Sequence, residues 1–436
     1  MTGPTPTTSH DRPRRSLMDP EVMECPFGYY AELHADPSPA RDEGPAGWIV
    51  TGYQDLVALS GHSSLSNEFH GPEGMTLMGI SPEPHSPEVQ ELQASMRRMA
   101  NVMLFADPPT HTRTKALCAK ALTPGRVREM RPLIQQIVDM LIDAFAGDGA
   151  CDLLSQFAVP LPAHLMGRLL GIETADLADF ARWVDHIVMG VADILDNEQR
   201  LVVGQSVKEL QDYLVAAIEQ RGETRTDDLL DALVHAELTL EDIDADGAEI
   251  TGPRRLNEAE ILSMVIQLLG GGNHTTAQLV GMTIANLLQH PEAMAEVRAD
   301  PALVPNAIEE TLRLEASVQF GRRIVTEPLQ IGDIEIPAGS GMGLAWGAAG
   351  HDPAVFPEPQ RFDIHRPNVR RHLSFGHGPH FCVGTHLARA EADVAVTTLL
   401  ARIDDIALAE GTVLTHIPSF TFSGLTALPV TFPAVS

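Results

Sequence analysis

Cysteine is scarce in this chain: it occurs only at Cys25, Cys118, Cys151 and Cys382, with no C-x-x-C pair. That excludes a disulfide framework and a cysteine-built zinc site, and it favours a reducing, cytoplasmic compartment. Long apolar runs are missing too. No stretch approaches the roughly 18 residues of a spanning helix, so no membrane association is expected. The opening MTGPTPTTSHDRPRRS has no apolar core of the kind a secretory signal needs, and residues 1–18 read as a disordered lead. Positive charge is the third shortage. Lys and Arg number 30 against 59 Asp and Glu, a formal net charge of −29. Such a balance argues against a nucleic-acid partner and makes any local basic cluster stand out. Neither an internal repeat nor a linker divides the 436 residues.

Against these absences stands one dense stretch, FGHGPHFCVG, from Phe375 to Gly384. Gly376, Gly378, Gly384 and Pro379 make a tight loop around Cys382, and glycines at this density let a backbone approach a flat object closely. Phe375 and Phe381 supply apolar cover. A helical pattern begins at Leu387 to Glu391, so a helix N-terminus lies near the sulfur and favours its thiolate. A lone thiolate in such a loop is what a haem iron takes as axial ligand when O–O cleavage is intended. The plainer alternative is a small buried thiol. A zinc cage from His377, His380 and Cys382 would crowd three ligands into six residues, a poor tetrahedron.

The stretch resembles the haem-binding loop of the cytochrome P-450 family, Phe-Gly-x-Gly-x-His/Arg-x-Cys-x-Gly, at every fixed position. The resemblance runs from about Cys25 to Val430. It implies a mainly α fold with small β-sheets (α+β), one domain over residues 19–436, and haem b between a long central helix and the helix after the cysteine loop. Cys382 is then the axial ligand of the haem iron, with Phe375 and Gly376 against the cofactor. Asp107 to Lys120 reads DPPTHTRTKALCAK, where His111 and Lys115 share a helix face. By resemblance to DPPEHTRLR, His111 and Lys115 hold haem propionates; lysine keeps the charge of the family arginine but loses its planar fork. Arg323 matches another propionate ligand, with Arg322 beside it as the competing choice, and His380 matches the last.

Asn257, with Glu260 three residues on, makes a capping box, and apolar residues then recur at helical spacing to about Gln289, before Pro291. A helix of that length would cross the whole domain. Gly270, Gly271 and Gly272 interrupt it, and local rules alone would place a loop there. The alternative is a helix locally distorted so that ligand and O2 lie against its backbone. The family carries Ala/Gly-Gly-x-Asp/Glu-Thr here. Thr275 matches the hydroxyl that organises oxygen and water, but His274 stands where the acid belongs. An imidazole can relay protons through either nitrogen; the competing reading turns His274 outward to a surface salt bridge.

Glu310 and Arg313 share a helix face in EETLR, and the resemblance joins them to Arg361 in a structural charge network. Arg366, Arg370 and Arg371 before the cysteine loop, with Arg113, Lys115, Lys120, Arg126 and Arg128, suggest a docking face for an acidic ferredoxin, or scattered solubilising charge. Substrate-pocket candidates are Leu268, Leu269, Gly271, Val318 and Phe420, together with the Pro- and Gly-rich segment Phe69 to Met99. The implied activity is insertion of one oxygen atom from O2 into a C–H bond of a small-to-medium apolar molecule by a monomeric enzyme. Electrons would come from NAD(P)H through a reductase and ferredoxin. Two other readings stay open: a peroxide-driven or non-hydroxylating haem-thiolate oxidase, and a non-enzymatic haem-binding sensor or carrier.

Overall fold

The computed structural model describes residues 16–35, 39–42, 47–68, 87, 92, 102–172, 177–192, 197–239, 241–242 and 249–435. The segment Phe69 to Met99 therefore lies, apart from residues 87 and 92, outside the described residues. The longest element, Glu258–Gln289, starts as its sequence dictates. Asn257 Oδ1 accepts the Glu260 N–H at 2.9 Å, and Glu260 Oε2 accepts the Asn257 N–H at 2.9 Å. The helix then continues without a break through the three glycines. Tertiary packing overrides their low propensity: before and after them Met264, Val265, Leu279, Val280 and Leu287 are buried in the main core. Side chains add local bonds across the weak turn, Asn273 Nδ2 donating to the Leu269 carbonyl at 2.7 Å and Thr275 Oγ1 to that of Gly271 at 2.6 Å.

Around this axis pack the helices Leu177–Ala192, Pro160–Leu169, Val304–Leu314 and Thr385–Arg402. Thr385–Arg402 lies in turn along Pro124–Phe145, with Arg131 to Asp393 at 2.6 Å and Arg402 to Asp139 at 3.2 Å along the seam. The β structure is small. A five-stranded sheet runs in the order Ala40–Arg41, Trp48–Val50, Gly341–Leu344, Gly321–Val325, Leu65–Ser66, with only the pair Trp48–Val50 and Gly341–Leu344 parallel. Pro429–Thr431 pairs with Ala150–Asp152 and Ala407–Leu408. Leu329–Ile331 and Ile334–Ile336 form the hairpin that their alternation predicts. The architecture is mainly helical with small sheets, as expected. Among the described residues no helix is long and apolar enough to cross a membrane.

Two expectations need correction. Residues 16–18 do not belong to a loose lead: Leu17 is buried and its N–H donates to Asp42 Oδ2 at 2.9 Å. The partner of the Glu310–Arg313 pair is Arg366, not Arg361. Arg313 grips Glu310 with two bonds of 2.8 Å, and Arg366 Nε reaches Glu310 Oε1 at 3.1 Å. The Arg361 side chain is 63 % exposed and meets only Glu358, at 3.6 Å. What Arg361 contributes is its carbonyl, which accepts from Arg313 at 3.2 Å and from Arg366 at 2.9 Å. The two guanidinium groups also take the carbonyls of Gly350, Pro359 and Pro357 at 2.7 Å each. Nearby, His351 is buried, donating from Nε2 to the Leu314 carbonyl at 2.8 Å with Nδ1 facing the Gln360 amide at 3.2 Å.

A buried charge stripped of a partner is costly. Arg366→Ala is expected to lower stability by about 3 kcal/mol, whereas Arg361→Ala stays within about 0.5 kcal/mol; denaturant unfolding of the two variants measures the difference. Burial lowers the His351 pKa to about 4 from 6.5. The folded state thus holds fewer protons than the unfolded state in that window, so stability is present above pH 6.5 and is lost as pH falls toward 4. The loss attributable to His351 is about 3 kcal/mol, and His351→Asn should flatten the unfolding-versus-pH curve over that range.

Candidate functional site

The cysteine loop is built by backbone geometry that only its glycines permit. Gly376 and Gly378 have φ of +72° and +68°, the left-handed region. The Gly376 N–H donates to the Leu373 carbonyl at 2.8 Å, and the Cys382 N–H to that of Phe375 at 2.9 Å. Helix Thr385–Arg402 begins directly after Gly384. Burial pushes the Cys382 thiol up, while the Gly384 N–H, Lys115 and Arg389 act in the opposite direction. Cys382 is nonetheless exposed. A thiolate there needs a positive partner on its open side, which a bound metal supplies.

Beside the loop a second group of side chains converges. The His111 and His380 rings lie 3.9 Å apart. Asn67 Nδ2 stands 2.5 Å from His380 Nε2. Lys115 Nζ donates to the Phe381 carbonyl at 2.7 Å and to that of Pro379. Strand alternation turns Arg323 inward and leaves Arg322 exposed. These groups disfavour one another's charge. Burial, then Lys115 and Arg323, lower His111 to about 4, with Asp107 opposing. Burial, then His111, Arg323 and Lys115, lower His380 to about 2. Burial lowers Arg323 to about 10. Asp107, the acid among them, is already bound by Ser66 Oγ and the Asn67 N–H. Among the described residues, His111 Nδ1 is buried without a partner. A crowd of donors short of acceptors fits a dianion, and with the thiol of Cys382 beside it the donor set fits haem b: sulfur for the iron, His111, Lys115, Arg323 and His380 for the propionates. Asn67 was not anticipated; nothing in its local sequence signals it.

The long helix carries its glycine turn just before His274. A Cβ added at Gly271 or Gly272 would meet nothing within 4 Å, so these glycines leave room beside the helix instead of admitting a close neighbour. Thr275 is tied on both sides: Oγ1 to the Gly271 carbonyl, and its own carbonyl accepting from Ser317 Oγ at 3.2 Å. His274 does not turn out to a surface ion pair. Its Nδ1 is buried and has no partner among the described residues, and its ring meets Phe422 edge-on at 5.7 Å and 80°. Burial lowers its pKa, so at pH 7 it is neutral. Phe422 bridges to Val318, and Gln278 clamps this C-terminal hairpin to the helix through both bonds of its amide to Leu425, 2.8 and 3.1 Å. Gly424 is required there, since a Cβ would stand 2.2 Å from the Gln278 Cδ. Of the pocket candidates, Leu268 is half-buried, Val318 and Phe420 pack on two smaller clusters, and Gly271 is open. Leu269 is corrected: it is fully buried in the main core.

The expected basic face is smaller than its sequence count. Arg366 is consumed by Glu310, Arg113 by buried Glu260, and Lys120 by Asp242 at 2.8 Å. Arg128, Arg131, Arg370, Arg389 and His386 instead surround a surface cavity of about 270 Å³ between Pro124–Phe145 and Thr385–Arg402. Among the described residues no His, Cys, Asp and Glu cluster is arranged to hold a bare metal ion. Arg323→Ala should weaken haem retention about 10- to 100-fold, the weight of a charge-assisted bond, and Arg322→Ala should leave it unchanged; transfer of haem to apomyoglobin reads both.

Comparison with known proteins agrees with this geometry. The family model for cytochrome P-450 matches residues 174–404. Cytochrome P-450 107B1 of Saccharopolyspora erythraea is 37 % identical over 92 % of this chain and 93 % of its own length. The 6-deoxyerythronolide B hydroxylase of the same organism is 36 % identical over 87 % of this chain and 89 % of its own. Among solved structures, P-450 BioI in complex with an acyl carrier protein ligated to hexadec-9Z-enoic acid superposes with a TM-score of 0.80 at 29 % identity, covering 94 % of this chain and 99 % of that one. With a loop that presents Cys382, a donor cluster beside it and relatives of this closeness across nearly its whole length, the chain belongs to the cytochrome P-450 family and is a monooxygenase.

Proposed function

We propose that this enzyme binds haem b through Cys382, with His111, Lys115, Arg323 and His380 on the propionates, and inserts one oxygen atom from O2 into a C–H bond of an apolar substrate. Haem, when bound, supplies the oxidising chemistry. The observation that carries the reading is the pairing of the Cys382 loop with a donor cluster short of anions. Electrons come from NAD(P)H through a reductase and an acidic ferredoxin. Arg128 and Arg370, exposed beside the surface cavity, support a docking face for it. The chain acts as a single domain in the cytoplasm and as a monomer.

The substrate is a bulky, largely apolar molecule, free or delivered on a carrier. Phe420, Phe422, Val318 and Leu268 supply apolar surface beside the open turn at Gly271. One relative is named for hydroxylating 6-deoxyerythronolide B, and one structural neighbour is bound to a fatty-acyl carrier protein. Within the pocket His274 moves protons as a neutral imidazole toward the water held at Thr275, and Phe422 keeps water from its other flank.

A second reading, peroxide-driven oxidation, draws on one observation: position 274 holds a neutral ring where a carboxylate would otherwise relay protons. Reconstitution separates the two. Protein supplied with NADH, reductase and a [2Fe–2S] ferredoxin is expected to turn over macrolactone or fatty-acyl substrates that first shift its spin state, and hydrogen peroxide alone to support far less product. The reverse ranking would favour peroxide, and a reduced CO complex without the thiolate band would overturn the haem-thiolate reading. His274→Ala should lower the fraction of electrons recovered in product about tenfold or more; full coupling in that variant would remove His274 from the relay.

A further inference from the structure

Arg389, which lines the surface cavity, also touches several supports of the cysteine loop. It lies in the second turn of Thr385–Arg402. Its guanidinium carbon stands 4.5 Å from the centre of the Phe375 ring, and the Phe375 carbonyl accepts the Cys382 N–H. Nε and one terminal nitrogen donate to the two oxygens of Glu309 at 2.5 and 2.9 Å, and the other terminal nitrogen donates to Thr385 Oγ1. Glu309 also accepts from His372 Nε2 at 3.0 Å, and the His372 ring lies 6.0 Å from that of Phe375. A bidentate, stacked guanidinium held this way is a fixed charge, which a lysine could not imitate.

We propose that Arg389 is a positioning residue that sets the electron-donating strength of Cys382, as a positive charge fixed on the Phe375 face of the cysteine loop by Glu309. A cation at this place draws density toward the sulfur and away from the metal, and it favours the reduced, less positive state of the cofactor. Glu309 partly offsets that charge, so the two residues act with opposite sign. The inference rests on the reading that Cys382 ligates haem iron.

Redox titration of the purified holoenzyme without any partner protein tests it. Arg389→Gln should move the ferric–ferrous equilibrium about tenfold toward ferric, which for one electron is a midpoint about 59 mV lower. Arg389→Lys, which keeps the charge and loses the fork, should move it by less than half of that. Glu309→Gln should move the midpoint upward. Each value counts only in protein whose reduced CO complex keeps the thiolate band. A ferric–ferrous equilibrium within twofold of wild type for Arg389→Gln, or a downward midpoint shift for Glu309→Gln, would overturn the proposal. If Arg389→Gln fails to retain haem, the sign of the Glu309→Gln shift decides alone. Absence of the thiolate band from the wild type would instead overturn the assignment of Cys382.

Discussion

Two adjacent carboxylates on one helix, Glu309 and Glu310, hold the frame on which the cysteine loop is hung. Both sit on Val304–Leu314 and both are buried. Glu310 faces Arg313 and Arg366 and also accepts the Asp363 N–H at 3.0 Å, fixing the segment that leads into the loop. Glu309 faces His372 on the near side of the loop and Arg389 on the far side. Ser374 Oγ adds a bond to the Leu312 carbonyl at 2.5 Å. One helix thus anchors the chain before, beside and after Cys382. Buried charges are poor sources of net stability, because desolvation offsets most of their attraction. Their value here is geometric: every carboxylate oxygen and nearly every guanidinium nitrogen has a partner, so one arrangement satisfies the set and others leave charges bare.

The turn around His274 is set by quite different means. Gly271 and Gly272 thin the long helix, and side-chain bonds from Asn273 and Thr275 keep that turn helical. The C-terminal hairpin then closes against it through the Gln278 amide, with Gly424 allowing the approach. The consequence is that His274 meets an aromatic ring where a charged neighbour would have been possible. Its neutrality follows from burial alone, with no counter-ion to restore the charge.

Much of this was legible in the sequence because the signals are local. The capping box at Asn257 and Glu260 and the glycine-dense cysteine loop each depend on residues within a few positions. What was illegible depends on partners far apart. Glu309 and Arg389 lie on different helices, as do Arg131 and Asp393, and nothing in either local pattern announces the pairing. The confusion of Arg361 with Arg366 has a specific cause. Both arginines occur in QRFDIHRP, and the segment does approach Glu310, but it offers the backbone of Arg361 and the side chain of Arg366. Leu269 was misplaced for a related reason. Leu268 and Leu269 are adjacent on a helix that is apolar nearly all round, so periodicity could not say which one faces the core.

The donor cluster beside the loop finally explains how a chain with so large a negative charge can hold a dianionic cofactor. Net charge acts at long range and is screened within about 10 Å in salt. At the site, His111, Lys115, Arg323 and His380 outnumber the acids, and burial removes the water that would soften their mutual repulsion. The protein without cofactor therefore contains a strained electrostatic pocket, with two imidazoles forced neutral and an arginine shifted downward. A ligand carrying two carboxylates relieves that strain only in the folded state, where the four residues are assembled. A ligand bound there would stabilise the fold by linkage. Other cations are spent on buried or paired partners such as Glu310, Glu260 and Asp242, while Arg128 and Arg370 stay exposed.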